Sequence, residues 1–94
     1  MTVKTTKWDP VAGLDTPERI ALYLEAAFED GDPQLIAAAI GDAARAHGMS
    51  QLARDTGVTR EALYRALSDQ GNPEFATVLK VLAALGLKLT PSAA

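Results

Sequence analysis

The stretch Met49-Ser-Gln-Leu-Ala-Arg-Asp-Thr-Gly-Val-Thr-Arg-Glu-Ala-Leu-Tyr-Arg-Ala-Leu67, followed by Ser68, concentrates the side chains that could do chemistry. Thr59, Arg60, Glu61, Tyr64, Arg65 and Ser68 lie at or near the start of a helical pattern and along its outward face. An arginine on such a face can donate bidentately to guanine O6 and N7. A glutamate can accept from a cytosine amine, and a tyrosine can reach a phosphate or a thymine methyl. Ser50 and Gln51 open the preceding helical stretch, where side chains and free backbone N–H groups can hold a phosphate. Together they form a candidate surface for duplex DNA, set against the plainer reading of a solvated helix face.

Reading bases this way requires two short helices crossing at a steep angle, so that the second is pushed outward into a groove. The same stretch supplies the parts. Ala53 is a small residue for the crossing, Gly57 allows the turn four residues later, Val58 plugs the corner, and Leu63 and Ala66 point back to a core. A helix-turn-helix over about 49–68 is therefore expected.

The flanking sequence predicts the rest of a helical domain. Thr16-Pro17, Asp32-Pro33 and Asn72-Pro73 each set a capping side chain before a proline, whose missing N–H costs nothing at the first helical position. Gly31, Gly48, Gly57 and Gly86 each follow an apolar-periodic stretch, where a glycine can end a helix. The pattern predicts helices over 17–30, 33–47, 50–56, 60–67 and 73–85. The last carries Phe75, Val78, Leu79, Leu82 and Leu85 as its apolar stripe. Leu87-Lys88-Leu89-Thr90 alternates before Pro91, which admits a short C-terminal strand that closes the core or pairs across a dimer. The expected organisation is an amino-terminal arm over 1–15, a helical domain over 16–90 and a tail over 91–94. Trp8 is expected to anchor the arm on its own domain, and His47 to favour the carboxyl end of the second helix through the helix dipole.

Composition narrows the function. A chain of 94 residues with 48% hydrophobic and 22% charged side chains has enough apolar material for one helical core and no room for a second domain. The absence of cysteine removes disulfides, thiolate metal sites and a cysteine nucleophile, and fits a reducing cytoplasm. The single histidine cannot build a histidine-ligated metal site, and no signature marks a nucleophile beside it. The chain is therefore expected to be no enzyme and to need no cofactor or metal. Its longest apolar run, Leu35 to Ile40, is far too short for a membrane span, and the amino terminus has no apolar signal core.

A net charge of −3 would argue against nucleic acid if it were spread evenly. It is not. Residues 1–33 hold three cations (Lys4, Lys7, Arg19) against seven carboxylates, whereas residues 45–65 hold four arginines against Asp55 and Glu61. The chain is polarised, with an acidic first third and a basic middle.

The helix-turn-helix resembles that of lambda-repressor-like (Xre-type) regulators. The match extends to Asp-Gly-Asp-Pro at 30–33, Gly-Met-Ser-Gln-Leu-Ala-Arg at 48–54, Gly-Val-Thr-Arg-Glu-Ala-Leu-Tyr-Arg-Ala-Leu-Ser at 57–68 and Gly-Asn-Pro-Glu-Phe-Ala-Thr-Val-Leu-Lys-Val-Leu-Ala-Ala-Leu-Gly-Leu at 71–87. With these the chain is similar to the small addiction-module antidote proteins (HigA-like antitoxins). One departure is Thr56, where such motifs place a larger apolar residue. The resemblance implies an all-α, five-helix, lambda-repressor-like DNA-binding domain. It further implies an antitoxin of a type II toxin-antitoxin module, a homodimer that represses its own operon through an inverted repeat and neutralises a small RNA-cleaving toxin encoded nearby. Glu25, Glu29 and Asp30, on the acidic first helix, are the candidate toxin contacts. A phage- or plasmid-type repressor without a toxin, and a helical protein-interaction module, are the alternatives.

Overall fold

The computed structural model describes residues 13–94, so the expectation for Trp8 and the amino-terminal arm lies outside the described residues except for Gly13 to Asp15. Five helices follow in order: α1 (Pro17–Asp30), α2 (Pro33–His47), α3 (Met49–Thr56), α4 (Arg60–Ala66) and α5 (Phe75–Ala84). The architecture is all-α with no strand among the described residues, and none of these helices is long and apolar enough to cross a membrane. Leu87 to Thr90, which alternates like a strand, is irregular. Alternation makes a strand only where a neighbouring strand supplies the ladder.

Local chemistry sets the first two helices. Thr16 accepts from the Arg19 N–H at 3.2 Å and Asp32 from the Gln34 N–H at 3.0 Å, and a proline begins each helix. α5 behaves differently: Asn72 does not cap it, and the helix starts at Phe75 after Glu74, which makes no side-chain capping bond. The preceding residues are consumed by a tight return, in which the Gly71 N–H donates to the Ser68 carbonyl at 3.0 Å. A Cβ on Gly71 would sit 2.0 Å from the Ala66 carbonyl oxygen, so this loop lies flat on the end of α4.

α2 and α3 form the centre. α2 packs on α1 and α3, and α3 packs in turn on α4 and α5. Ile40, Leu52, Leu63, Leu67 and Val81, contributed by α2, α3, α4, the residue after α4 and α5, are the large side chains fully removed from water. Each such burial contributes roughly 1.5–3 kcal/mol. The buried face of α2 is otherwise Ala37, Ala39, Ala43 and Ala44 with Gly41, small residues that let neighbouring backbones approach. Gly41 is the extreme case: a Cβ there would meet the Leu67 carbonyl oxygen at 2.1 Å. The stripe of α5 runs through Val81, Leu82 and Leu85, whereas Phe75 and Leu79, expected in it, are 68% and 41% exposed. The phase set by the buried trio leaves Leu79 on the flank, and Phe75 is the first residue of the helix.

Candidate nucleic-acid interface and an acidic groove

α3 and α4 are joined by Gly57, Val58 and Thr59. Gly57 takes φ 77°, a left-handed conformation that costs a side-chain-bearing residue about 1 kcal/mol or more, and its N–H closes α3 on the Ala53 carbonyl at 2.9 Å. Thr56 is explained by this corner. Its hydroxyl donates to the Leu52 carbonyl at 2.8 Å and accepts from the Val58 N–H at 3.2 Å, so it braces the turn through hydrogen bonds where a larger apolar residue would brace it by volume. Thr59 then caps α4, accepting from the Ala62 N–H at 3.1 Å. Leu63 locks the helix to the core, with Ala66 half-buried beside it.

This leaves one face of α4 outward. Arg60, Glu61, Tyr64 and Arg65 are all exposed, and the Arg60 guanidinium lies 5.8 Å from the centroid of the Tyr64 ring. A cation over a ring is held in place yet keeps its edge N–H groups available. Neither Arg60 nor Arg65 is paired with a carboxylate among the described residues, in contrast to Arg19 with Asp15 and Arg45 with Asp42. Ser68 lies past the end of α4, which stops at Ala66; half-buried, its hydroxyl donates to the Arg65 carbonyl at 3.2 Å and accepts from the Gln70 N–H at 3.3 Å. Thr59 and Ser68 thus frame the helix while Arg60, Glu61, Tyr64 and Arg65 between them face solvent.

On α3, Ser50 and Gln51 are exposed near the start of the helix, where Gly48 offers no side chain to cap the first N–H groups. Gln51 is tied into a surface network: its Nε2 donates to Asp55 Oδ1 at 2.9 Å and its Oε1 accepts from the Arg54 guanidinium at 2.8 Å. Asp55 in turn faces His47 Nε2 at 3.9 Å, across from the end of α2. Arg54 was not among the residues singled out in the sequence, although its place three residues after Gln51 puts both on one helix face.

A second feature lies between α1 and the chain after α5. Glu25 and Glu29 are exposed on α1 and border a groove of about 800 Å³, closed on the other side by Leu87 to Thr90 and Ser92. Asp30, the third residue expected there, is exposed but does not border the groove. Deeper in the α1–α2 contact, Tyr23 donates its hydroxyl to Asp42 Oδ2 at 2.6 Å, and Arg45 pairs with the other oxygen of the same carboxylate. Burial, the hydrogen bond to Asp42 and the negative charge of Asp42, opposed by Arg45, push the Tyr23 phenol up to about 12. No sequence signal marked this triad, because Tyr23 and Asp42 are nineteen residues apart.

Comparison with known proteins follows this geometry. Residues 4–93 match the family model described as a probable addiction module antidote protein. An uncharacterized protein of Haemophilus influenzae is 49% identical over 88 residues, covering 94% of this chain and 91% of the relative. No solved structure matches. With nearly its whole length matched, the chain belongs to the addiction-module antidote family.

Proposed function

We infer that the chain is a DNA-binding antitoxin of a type II toxin-antitoxin module that represses its own operon and neutralises a small RNA-cleaving toxin. Membership of an antidote family implies an antitoxin role and a cognate toxin. The DNA-binding half of the reading is carried by the outward face of α4, where Arg60 and Arg65 stand without carboxylate partners among the described residues, on a helix locked behind the braced turn. Such a helix can enter a major groove with Arg60, Glu61, Tyr64 and Arg65 toward the base edges. Ser50, Gln51, Thr59 and Ser68 are assigned to the flanking phosphates, where the uncapped start of α3 adds backbone N–H donors. In this reading the helix-turn-helix is of the lambda-repressor-like, Xre-type kind and the chain is a HigA-like antitoxin.

One small domain of this type covers only about 600–1,000 Å² on DNA, so specificity calls for a homodimer on an inverted repeat. Glu25, Glu29 and Asp30 are assigned to the toxin, on an element that supplies none of the proposed DNA contacts. The test pairs two measurements: copurification with the product of the adjacent gene, and a mobility shift on the upstream DNA. A stable complex and a sequence-specific shift are expected. No copurifying partner would remove the antitoxin reading, and equal shifts of upstream and random duplex would remove the repressor reading.

A further inference from the structure

The groove between α1 and the chain after α5 has two chemically distinct parts. Its floor is apolar: Leu22, Phe28, Leu82, Leu87 and Leu89 line it, and Leu22 and Leu89 remain 69% and 38% exposed. Its α1 edge is acidic, with Glu18, Glu25 and Glu29 across from Lys88, the one cation among the described residues that line it. The three glutamates and Leu22 lie on one ridge of α1, at spacings of four, three and four residues. An exposed apolar floor with a predominantly acidic rim is the form of a docking site, since scattered surface leucines need no such rim.

The charge decides what fits. Nucleic acid is repelled by this rim, and no groove residue comes from α3 or α4. A second copy of the chain fits poorly, because a two-fold contact apposes the same patch on both subunits and would set three carboxylates against three. The net charge of the whole chain is itself −3. The complement is a segment with an apolar ridge flanked by lysines or arginines. We propose that this groove, with Leu22 and Leu89 as its apolar anchors and Glu18, Glu25 and Glu29 as its charged rim, receives a basic amphipathic segment of the cognate toxin. The assignment rests on the antitoxin reading above. It replaces a purely electrostatic toxin surface with a mixed one and moves its centre from Asp30 toward Glu18. Because the groove and α4 share no residue, toxin and DNA can be held together.

The experiment uses the full chain and the purified product of the adjacent gene. Glu18→Lys, Glu25→Lys and Glu29→Lys combined should slow association about tenfold or more at low salt and flatten its salt dependence, as rim charges act mainly on encounter. Leu22→Asp, at a position already open to water, should speed dissociation about tenfold while leaving the salt dependence in place. Helix content and upstream-DNA affinity should stay at wild-type values in both. If the wild-type chain binds the toxin and both variants bind it equally well, the groove assignment is overturned while the antitoxin reading stands. If the wild-type chain does not bind the toxin, both fall together. Two other results would also overturn the assignment, each with toxin affinity unchanged. Loss of the free dimer in Leu22→Asp would make the groove a contact between copies. A shift in the emission of Trp8, the single tryptophan, in the free variant would give the groove to the chain's own amino terminus.

Discussion

Replacing Gly41 by alanine sets two opposed effects against each other at a single methyl group. In an open helix interior the change would stabilise by about 1 kcal/mol, because glycine loses more backbone freedom on folding. Here the new Cβ would stand 2.1 Å from the Leu67 carbonyl oxygen and 3.2 Å from its carbon. A relaxed carbon–oxygen contact is about 3.3 Å, so α2 and the end of α4 would have to part by roughly 1 Å. The obstacle is backbone, which cannot rotate aside. It sits among Ile40, Ala44 and Leu67, each at most 1% exposed, so the separation loosens the centre of the core. Overpacking of this kind costs about 1–3 kcal/mol, and the strain at backbone puts Gly41→Ala near its upper end. After the helical gain is subtracted, a net loss of about 2 kcal/mol is expected, or on the order of 10 °C in Tm for a chain of this size. Urea unfolding followed by far-UV circular dichroism measures it directly. Because Leu67 follows the last turn of α4, part of the displacement should also reach Arg65 and weaken the proposed DNA binding. A Gly41→Ala chain as stable as wild type, or more stable, would refute the close approach.

Thr56→Val keeps shape but removes the hydroxyl that links Leu52 to Val58, and should destabilise by about 1–2 kcal/mol in urea unfolding; a gain in stability would mean that volume rather than hydrogen bonding braces the turn. Tyr23→Phe should cost about 1 kcal/mol at neutral pH by leaving Asp42 with Arg45 alone. The folded-state phenol is raised from its ordinary value of 10.0 to about 12, so its contribution is complete below pH 10 and is lost as pH rises through 12. Stability from pH 10 to 12 should accordingly fall more steeply in wild type than in Tyr23→Phe, and equal slopes in pH-dependent unfolding would contradict the triad. Footprinting of the upstream DNA should protect two half-sites about 34 Å apart, whereas one isolated half-site bound by a monomer would reject the dimer.

What the sequence disclosed follows the range of the interactions involved. The bounds of α1 and α2 were legible because Thr16-Pro17, Asp32-Pro33, Gly31 and Gly48 act within a few residues of where they stand. The turn between α3 and α4 was legible for the same reason, and so was the outward set on α4, which follows once Leu63 is placed inside. α5 was misplaced at its start because the return over Ser68 to Gly71 is held by the end of α4, a contact that Asn72-Pro73 does not encode locally. Gly41 against Leu67 and Tyr23 against Asp42 depend on how helices cross, and no periodicity reports that. The groove beside α1 needed the tail to fold back along it, so only its acidic edge was visible in the charge pattern.

The most direct test of the proposed DNA-binding role is equilibrium titration of a labelled upstream duplex and a random duplex with wild-type, Arg60→Ala and Arg65→Ala chains at several salt concentrations. Wild type should prefer the upstream duplex by about a thousandfold or more, and each substitution should cost on the order of 1–3 kcal/mol on that duplex alone if the arginine reads a base. Wild-type affinity for the upstream duplex in both variants, or no preference between the two duplexes, would contradict the placement of α4 in the groove.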